Sequence, residues 1–153
     1  MYKHILAALD GSPRAPRVLR EAAELAARTG ATLHLCRAVT VPHGMPTDAF
    51  FYTGEVLEAR LVEHGLRELG ALVEGLHPTH TPIVWGQRVC RLGTPGQLVV
   101  DLAAELGADL VVLGSHGYGL IDRLLGTTAA RIVNHAPCNV LVVRERPAAA
   151  QQA

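Results

Sequence analysis

Aromatic side chains are scarce in this chain of 153 residues, which has one Trp, two Phe and three Tyr. Aromatic residues make up 4% of the sequence although 49% of it is hydrophobic, so we expect a core of Ala, Leu and Val. A chain of this length can bury such a core without disulfides or metals. The sequence therefore predicts a single domain over residues 1–146 and a flexible C-terminal tail over residues 147–153.

Net charge is also absent, because 14 Lys and Arg residues balance 14 Asp and Glu residues. This balance argues against nucleic acid or an anionic membrane surface as the main partner. No apolar run is long enough to span a membrane, and the N-terminus enters a predicted strand without the features of a signal peptide. We therefore expect a cytoplasmic protein with no nucleic-acid and no membrane partner.

Cysteine is sparse, and metal-ligand patterns are missing. Cys36, Cys90 and Cys138 are far apart and form no C-x-x-C pair, which is typical of small buried thiols rather than redox or metal sites. His77 and His80 lie close together, but no carboxylate or third ligand stands at short spacing. The sequence therefore predicts no metal site.

Short aliphatic runs alternate with amphipathic segments along the chain. The strands are predicted at residues 5–9, 32–39, within 83–92 (its second half), 110–113 and 139–143. The helices are predicted at residues 13–28, 55–76, 95–106 and from 126 onward. This alternation is typical of an α/β fold with a mainly parallel sheet.

One stretch organises the rest of the chain. A run of buried aliphatic residues ends at Gly114 in a glycine-containing loop, and Gly126-Thr127-Thr128 then opens a helix. We expect Thr127 to be the N-cap, and the N–H groups of Gly126, Thr127 and Thr128 to point at an anion. Together these features indicate a phosphate-binding site. The alternative is that glycine turns and a capped helix simply connect elements.

The established sequence motifs for phosphate binding and nucleophilic catalysis are absent. There is no G-x-x-x-x-G-K-[ST], no third glycine of a dinucleotide fingerprint, and no G-x-S-x-G around Ser115. The loop therefore favours binding over chemistry.

Asp10 directly follows the first predicted strand. In parallel sheets, ligands bind beyond the carboxyl ends of the strands where the strand order reverses. If the first and fourth strands adjoin there, Asp10 faces the loop at Gly114 across one crevice. Its carboxylate could then accept hydrogen bonds from a base or a ribose. The alternative is that Asp10 is the N-cap of the first helix.

The chain resembles the universal stress protein family along nearly its whole length. The segments that carry the resemblance are, in order, 5–12 (ILAALDGS), 93–95 (GTP), 107–117 (GADLVVLGSHG), 124–127 (LLGT), 134–138 (NHAPC) and 140–144 (VLVVR). The resemblance implies a Rossmann-like, five-stranded parallel sheet with helices on both faces. It also implies a homodimer joined through the last strand, from Val140 to Val143, and an ATP-binding regulatory protein of the stress response.

The ATP-binding branch of that family carries the motif G-x2-G-x9-G-[ST], which implies a set of ligand-binding residues here. They lie at the ends of three strands and around the glycine loop: Ala8, Leu9, Asp10, Ala38, Leu113, Gly114, His116, Gly117, Gly126, Thr127 and Thr128. By this matching, Asp10 and Ala38 would meet the adenine. Leu113 and Gly114 would line adenine and ribose, and the residues from His116 onward would hold the phosphates. The implied ligand is ATP, or AMP or ADP, with Mg²⁺ on the phosphates.

The chain departs from that motif in the length of one loop. Only eight residues separate Gly117 from Gly126, one fewer than usual, and Tyr118 stands where a basic residue is frequent. Two functions therefore stay open: an adenine-nucleotide-binding regulator, or a dimeric protein-interaction module of the same family that has lost nucleotide binding. An enzyme that consumes ATP is disfavoured, because no general base or acidic cluster for Mg²⁺ is evident beside the loop.

Overall fold

The structure is a computed structural model that describes residues 1–42, 44, 47–79, 81–115 and 124–145, without the side chains of residues 47–53. The predicted C-terminal tail therefore lies outside the described residues. The elements are, in order, β1 (His4–Ala8), α1 (Ala15–Thr29), β2 (Thr32–Val39), α2 (Thr47–Glu74), β3 (Val84–Leu92), α3 (Pro95–Glu105), β4 (Leu110–Gly114), α4 (Thr127–His135) and β5 (Asn139–Val143).

The five strands form one sheet in the order β3-β2-β1-β4-β5, and every pairing is parallel. From β1 the chain builds β2 and β3 on one side, and then crosses to build β4 and β5 on the other. The strand order thus reverses at β1, which lies between β2 and β4. The structure confirms the predicted α/β fold, the neighbouring first and fourth strands, and the edge position of β5.

Helices cover both faces of the sheet because the aliphatic residues of each strand alternate in direction. On β1, Ile5 and Ala7 belong to a core shared with α1 and with Leu69 of α2. Leu6 points the other way, into a second core with α3 and α4. These continuous aliphatic strands are the ones that the hydrophobic pattern predicted best.

Two elements are longer than the sequence predicts. α2 begins at Thr47, eight residues before the predicted start, since the segment before Glu55 lacks the apolar period that marks a helix. β3 fills the whole of Val84–Leu92 rather than its second half. It is an edge strand with mostly exposed side chains, so polar residues interrupt its hydrophobic pattern.

Within the described part of the chain, none of the helices combines the length and the apolar character needed to cross a membrane.

Candidate functional site

A crevice of about 380 Å³ opens at the carboxyl ends of β1, β2 and β4, next to the first turns of α3 and α4. This is the place where the strand order reverses, as expected for a ligand site in a parallel sheet. The predicted ligand-binding residues that line it are Ala8, Leu9, Asp10, Ala38, Leu113, Gly114, Gly126, Thr127 and Thr128. The two others, His116 and Gly117, lie outside the described residues.

The crevice has further lining residues that the sequence interpretation missed: Cys36, Pro95, Val99, Ser115, Ala129 and Ile132. Helical spacing could have found some of them. Pro95 and Val99 are four residues apart on α3, and residues four apart lie on one helix face. Thr128 and Ile132 have the same relationship on α4. Most of the missed residues are small or aliphatic and form the apolar walls of the crevice.

β1 stops hydrogen bonding to β2 at the floor of the crevice. The N–H of Leu9 donates to the carbonyl of Cys36 at 2.9 Å. Further along β2, the carbonyl of Val39 accepts from Gly93 on the β3 side, at 3.1 Å. In a parallel strand the N–H and C=O of one residue point to the same neighbouring strand, and those of the next residue point to the other. The N–H and C=O of Ala38 therefore face the β1 side, beyond the end of β1. Ala38 thus presents a backbone donor and acceptor to the crevice.

Asp10 shapes the turn after β1. Its Oδ1 accepts a hydrogen bond from the N–H of Ser12 at 3.0 Å, which is an Asx turn. The N-cap position of α1 is occupied by Arg14, so the alternative that Asp10 caps the first helix is wrong. Asp10 lies too far before Ala15 to reach the first-turn N–H groups. Its exposed carboxylate lines the crevice instead.

The start of α4 differs from the prediction in two ways. Gly126 is the N-cap, with φ −62° and ψ 161°, and Thr127 is the first helical residue. The N–H of Gly126 is not directed at a ligand, since it donates to the carbonyl of Ser115 at 2.9 Å. The first intrahelical bond runs from Ala130 to Gly126 at 2.9 Å. The N–H groups of Thr127 and Thr128 therefore precede the helix ladder and have no acceptor within it.

Ser115, which follows β4, forms hydrogen bonds to two other elements at the end of the site where the phosphates are predicted. Its N–H donates to the carbonyl of Val143 at the end of β5, at 3.2 Å, and its carbonyl accepts from Gly126. The residue is buried. The end of β4, the end of β5 and the start of α4 are thus fixed relative to one another through the backbone of one residue.

The electrostatics of the crevice favour binding over nucleophilic chemistry. Burial, followed by a smaller effect of Cys90, raises the pKa of Cys36 to about 12, so this thiol is neutral and acts as an apolar wall. Cys36 and Cys90 are free and buried, as the sequence predicts, and Cys138 is half-buried. Asp10 is the one Asp, Glu, Lys or Arg residue among the described lining residues. In the described part of the chain, no three His, Cys, Asp or Glu residues are grouped to hold a metal ion.

Comparison with known proteins identifies relatives over almost the whole chain. The sequence model of the Universal stress protein family matches residues 1–144. The chain is 38% identical over 149 residues to Universal stress protein A homolog 1 of Coxiella burnetii, covering 93% of this chain and 96% of that one. Universal stress protein UspA from Lactobacillus plantarum has a similar structure, with a TM-score of 0.76 at 28% identity over 94% of this chain and 98% of that one. A universal stress protein solved in complex with cAMP matches with a TM-score of 0.66 at 25% identity, over 95% and 99% of the two chains.

Proposed function

This chain belongs to the universal stress protein family, and we propose that it is a regulatory protein that binds an adenine nucleotide in the crevice beside β1. The observation that carries the proposal is the combination in one crevice of apolar walls, the backbone donor and acceptor of Ala38, and the first turn of α4. The cAMP held by a structural relative of 25% identity supports the same class of ligand.

The adenine would lie in the apolar part of the crevice. Val99 and Ile132, from α3 and α4, face Leu113 and Ala8 of the sheet across it. The amino group of adenine is a hydrogen-bond donor and its neighbouring ring nitrogen an acceptor, which complements the C=O and N–H of Ala38. Such a pocket, mostly apolar with a few directed polar groups, is typical of small-molecule sites.

The ribose and phosphates would extend from the adenine towards α4. The Asp10 carboxylate can accept a hydrogen bond from a ribose hydroxyl or a base amino group. The N–H groups and exposed hydroxyls of Thr127 and Thr128 would receive phosphate oxygens at the positive end of the helix. The implied phosphate contacts of His116 and Gly117 are part of the same proposal.

Magnesium would be held mainly by the nucleotide itself. Mg²⁺ prefers oxygen ligands and keeps several of its waters. Among the described lining residues, the oxygen donors are the Asp10 carboxylate, the Ser115 hydroxyl, the hydroxyls of Thr127 and Thr128, and backbone carbonyls. This set fits an Mg²⁺ ion carried by the phosphates better than an ion held by a protein cage.

The nucleotide would act as a signal rather than as a substrate, because Asp10, the one carboxylate among the described lining residues, would lie at the base end and not beside the phosphates. We expect the output in the dimer. The half-buried β5, including Val140 to Val143, is an edge strand that can pair with a second copy. The end of β5 is bonded to Ser115 beside the site, so nucleotide binding can alter this pairing. The balanced charge supports a small-molecule function over nucleic-acid binding.

Calorimetric titration of the purified protein with ATP, ADP, AMP, cyclic AMP and adenosine tests the proposal. We expect saturable binding of at least one adenine nucleotide with one site per chain. The guanine nucleotide with the same number of phosphates should bind more weakly. A folded protein, verified by circular dichroism, that binds none of these ligands would contradict the proposal. That result would favour the interaction module that has lost nucleotide binding.

A further inference from the structure

The pairing of β2 with β3 is interrupted at one position, next to His34. Leu33 pairs with Trp85, and pairing resumes two residues later on β2 but three residues later on β3. An extra residue of this kind is a β-bulge and leaves a backbone group without its partner in the ladder. Here the N–H of Gln87 donates to Nδ1 of His34 at 3.0 Å. The imidazole thus takes the place of the missing backbone acceptor.

The residue next to the bulge leaves room for the His34 ring to act as this acceptor. His34 is buried, and its ring occupies the space beside Gly86. A Cβ at residue 86 would overlap Nδ1 and Cε1 of the His34 ring and would crowd Thr32. Glycine at this position therefore allows the ring to reach the backbone of β3.

The second nitrogen of His34 contacts another histidine. Nε2 of His34 lies 3.3 Å from Nδ1 of His4 on β1, and the two rings are stacked with centroids 5.6 Å apart. Because Nδ1 of His34 accepts from Gln87, the neutral ring carries its proton on Nε2 and donates it to His4. The series Gln87, His34, His4 is satisfied only when both imidazoles are neutral.

We propose that the His4–His34 pair is a proton-sensitive link that holds the first half of β3 to the sheet and releases it in mild acid. A proton on Nδ1 of His34 would face the N–H of Gln87, so that two donors oppose each other. This protonation removes the hydrogen bond that joins His34 to β3.

Apart from the bond to His34, the first half of β3 is retained by a short pairing with β2 and a few side-chain contacts. Val84 and Trp85, which pair with β2 before the bulge, are 54% and 38% exposed. Val84 is thus largely exposed, whereas most of the Trp85 side chain is covered, with the guanidinium of Arg88 5.9 Å from the centroid of its ring. Loss of the bond to His34 leaves the short pairing of these two residues with Thr32 and Leu33, the contact of Arg88 with Trp85 and the packing of Ile83. Edge segments with few contacts open locally before the core does.

The surroundings of the pair shift the pKa of His34 in the direction that release by acid requires. Burial, and then the nearby His4, lower the pKa of His34 from its ordinary value of 6.5. A lowered pKa in the folded state means that the neutral form is favoured by folding. The stability from the neutral ring is therefore present above pH 6.5 and is lost as the pH falls through the lowered pKa.

The carboxylates near this end of the sheet already have partners. Asp109 precedes β4 and accepts from the N–H groups of Lys3 and His4, at 2.8 and 3.2 Å. Glu105, at the end of α3, forms an ion pair with Arg91 of β3 at 2.9 Å. From β3, the group that faces His34 is the uncharged N–H of Gln87. The effect of His4 on the pKa of His34 is thus a repulsion between two imidazoles.

Tryptophan fluorescence can test the proposal directly, because Trp85 is the one Trp in the chain. We expect the emission to shift to longer wavelength, and acrylamide quenching to increase, as the pH falls from 8 to 5. The midpoint should lie below pH 6.5, and the opening equilibrium should change by up to about tenfold per pH unit. Far-ultraviolet circular dichroism should change little over the same range.

The decisive variant is His34→Asn, whose amide oxygen can occupy the place of Nδ1 and accept from Gln87 without titrating. It should remove the acid transition of Trp85 while leaving the emission at pH 8 unchanged. His135→Asn, at an exposed histidine of α4, is the matched control and should retain the transition.

Two outcomes would overturn the proposal: a Trp85 emission that is constant between pH 8 and 5, or a transition of equal midpoint in His34→Asn. If His34→Asn does not fold, nuclear magnetic resonance of the wild type decides. The ring of His34 should then titrate below pH 6.5 together with the indole of Trp85, and a ring that titrates without any change at Trp85 would contradict the proposal. These results do not depend on whether the crevice binds a nucleotide.

Discussion

Ser115 and Gly126 are joined by a hydrogen bond of 2.9 Å, in which the N–H of Gly126 donates to the carbonyl of Ser115. The bond connects the end of β4 directly to the start of α4. The end of β4 and the start of α4 are thus in contact in a chain whose spacing from Gly117 to Gly126 is one residue shorter than in the family motif. The same bond changes the expected anion site, because it commits the N–H of Gly126 and leaves Thr127 and Thr128 as the residues that begin the helix.

Gly126→Asp should weaken phosphate binding without weakening the helix α4. The φ of −62° at Gly126 suits any residue, and Asp is a favoured N-cap that exceeds Gly by roughly a few tenths of a kcal/mol. The same carboxylate would repel phosphates bound at the first turn of α4. We expect an unchanged or higher melting temperature together with a loss of ATP affinity of about tenfold or more.

Adenosine, which carries no phosphate, should bind Gly126→Asp within about threefold of its wild-type affinity. The neutral variant Gly126→Asn is the control and should bind ATP more tightly than Gly126→Asp does. Equal losses for ATP and adenosine, measured by calorimetry, would show that the phosphates do not lie at this helix.

Asp10→Ala should weaken binding of every adenine ligand, including adenosine. The variant removes a charged hydrogen-bond acceptor, which is worth about 1.5–3 kcal/mol. It also removes the acceptor of the Ser12 N–H. Asp10→Asn keeps an oxygen for that turn but loses the charge, so a comparison of the two variants separates ligand contact from turn geometry. A folded Asp10→Ala protein with the affinity of the wild type would show that Asp10 does not contact the ligand.

Leu141→Lys should convert the proposed dimer into monomers. Leu141 is a half-buried residue of the edge strand β5, and a lysine there opposes pairing between two edges. Light scattering at micromolar concentration should give twice the chain mass of 16.3 kDa for the wild type and a single chain mass for the variant. Val133→Lys, at a residue of α4 that is 43% exposed, should remain dimeric. A monomeric wild type would contradict the prediction.

Regular burial explains why most of the fold could be predicted from the sequence. Strands such as β4 are covered on both faces and consist of uninterrupted aliphatic residues, and glycine residues mark the ends of several strands and helices. Gly30 ends α1 where predicted, with a left-handed φ of 71° and its N–H bonded to Ala26. β3 and the start of α2 were predicted only in part, because an exposed edge strand or a weakly periodic helix shows little hydrophobic pattern in the sequence.

At the site, the sequence was sufficient to predict many of the residues that line the crevice. It was not sufficient to predict which backbone groups form hydrogen bonds to one another. The ends of β1 and β4 could be placed in one crevice because parallel strands direct their carboxyl ends to one edge. The roles of Gly126 and Thr127 could not be fixed, because Gly and Thr are both acceptable N-caps and tertiary contact with Ser115 decides between them. The acceptor role of His34 was also missed, since a bulge leaves no periodic pattern in the sequence.

Gly65→Ala should destabilise the protein although alanine is the better helix former. Gly65 is a buried residue of α2, and an added Cβ would overlap Sγ of Cys90 and lie 3.1 Å from Cγ1 of Val39. Overpacking of this kind costs about 1–3 kcal/mol, whereas the gain in helix propensity is about 0.5–1 kcal/mol. We expect a net loss in the free energy of unfolding, measured by urea denaturation.

The cause can be assigned by combining Gly65→Ala with Cys90→Ala, which removes the sulfur that the new methyl group would meet. The double variant should be more stable than the sum of the two single changes predicts, by roughly 1 kcal/mol. Gly54→Ala, in the same helix, is the matched control, because among the described residues outside its own helical turns no atom lies within 4 Å of the added Cβ. That variant should gain about 0.5–1 kcal/mol. If Gly65→Ala gains as much as Gly54→Ala, the close contact between α2 and Cys90 does not limit the packing of the helix on β3.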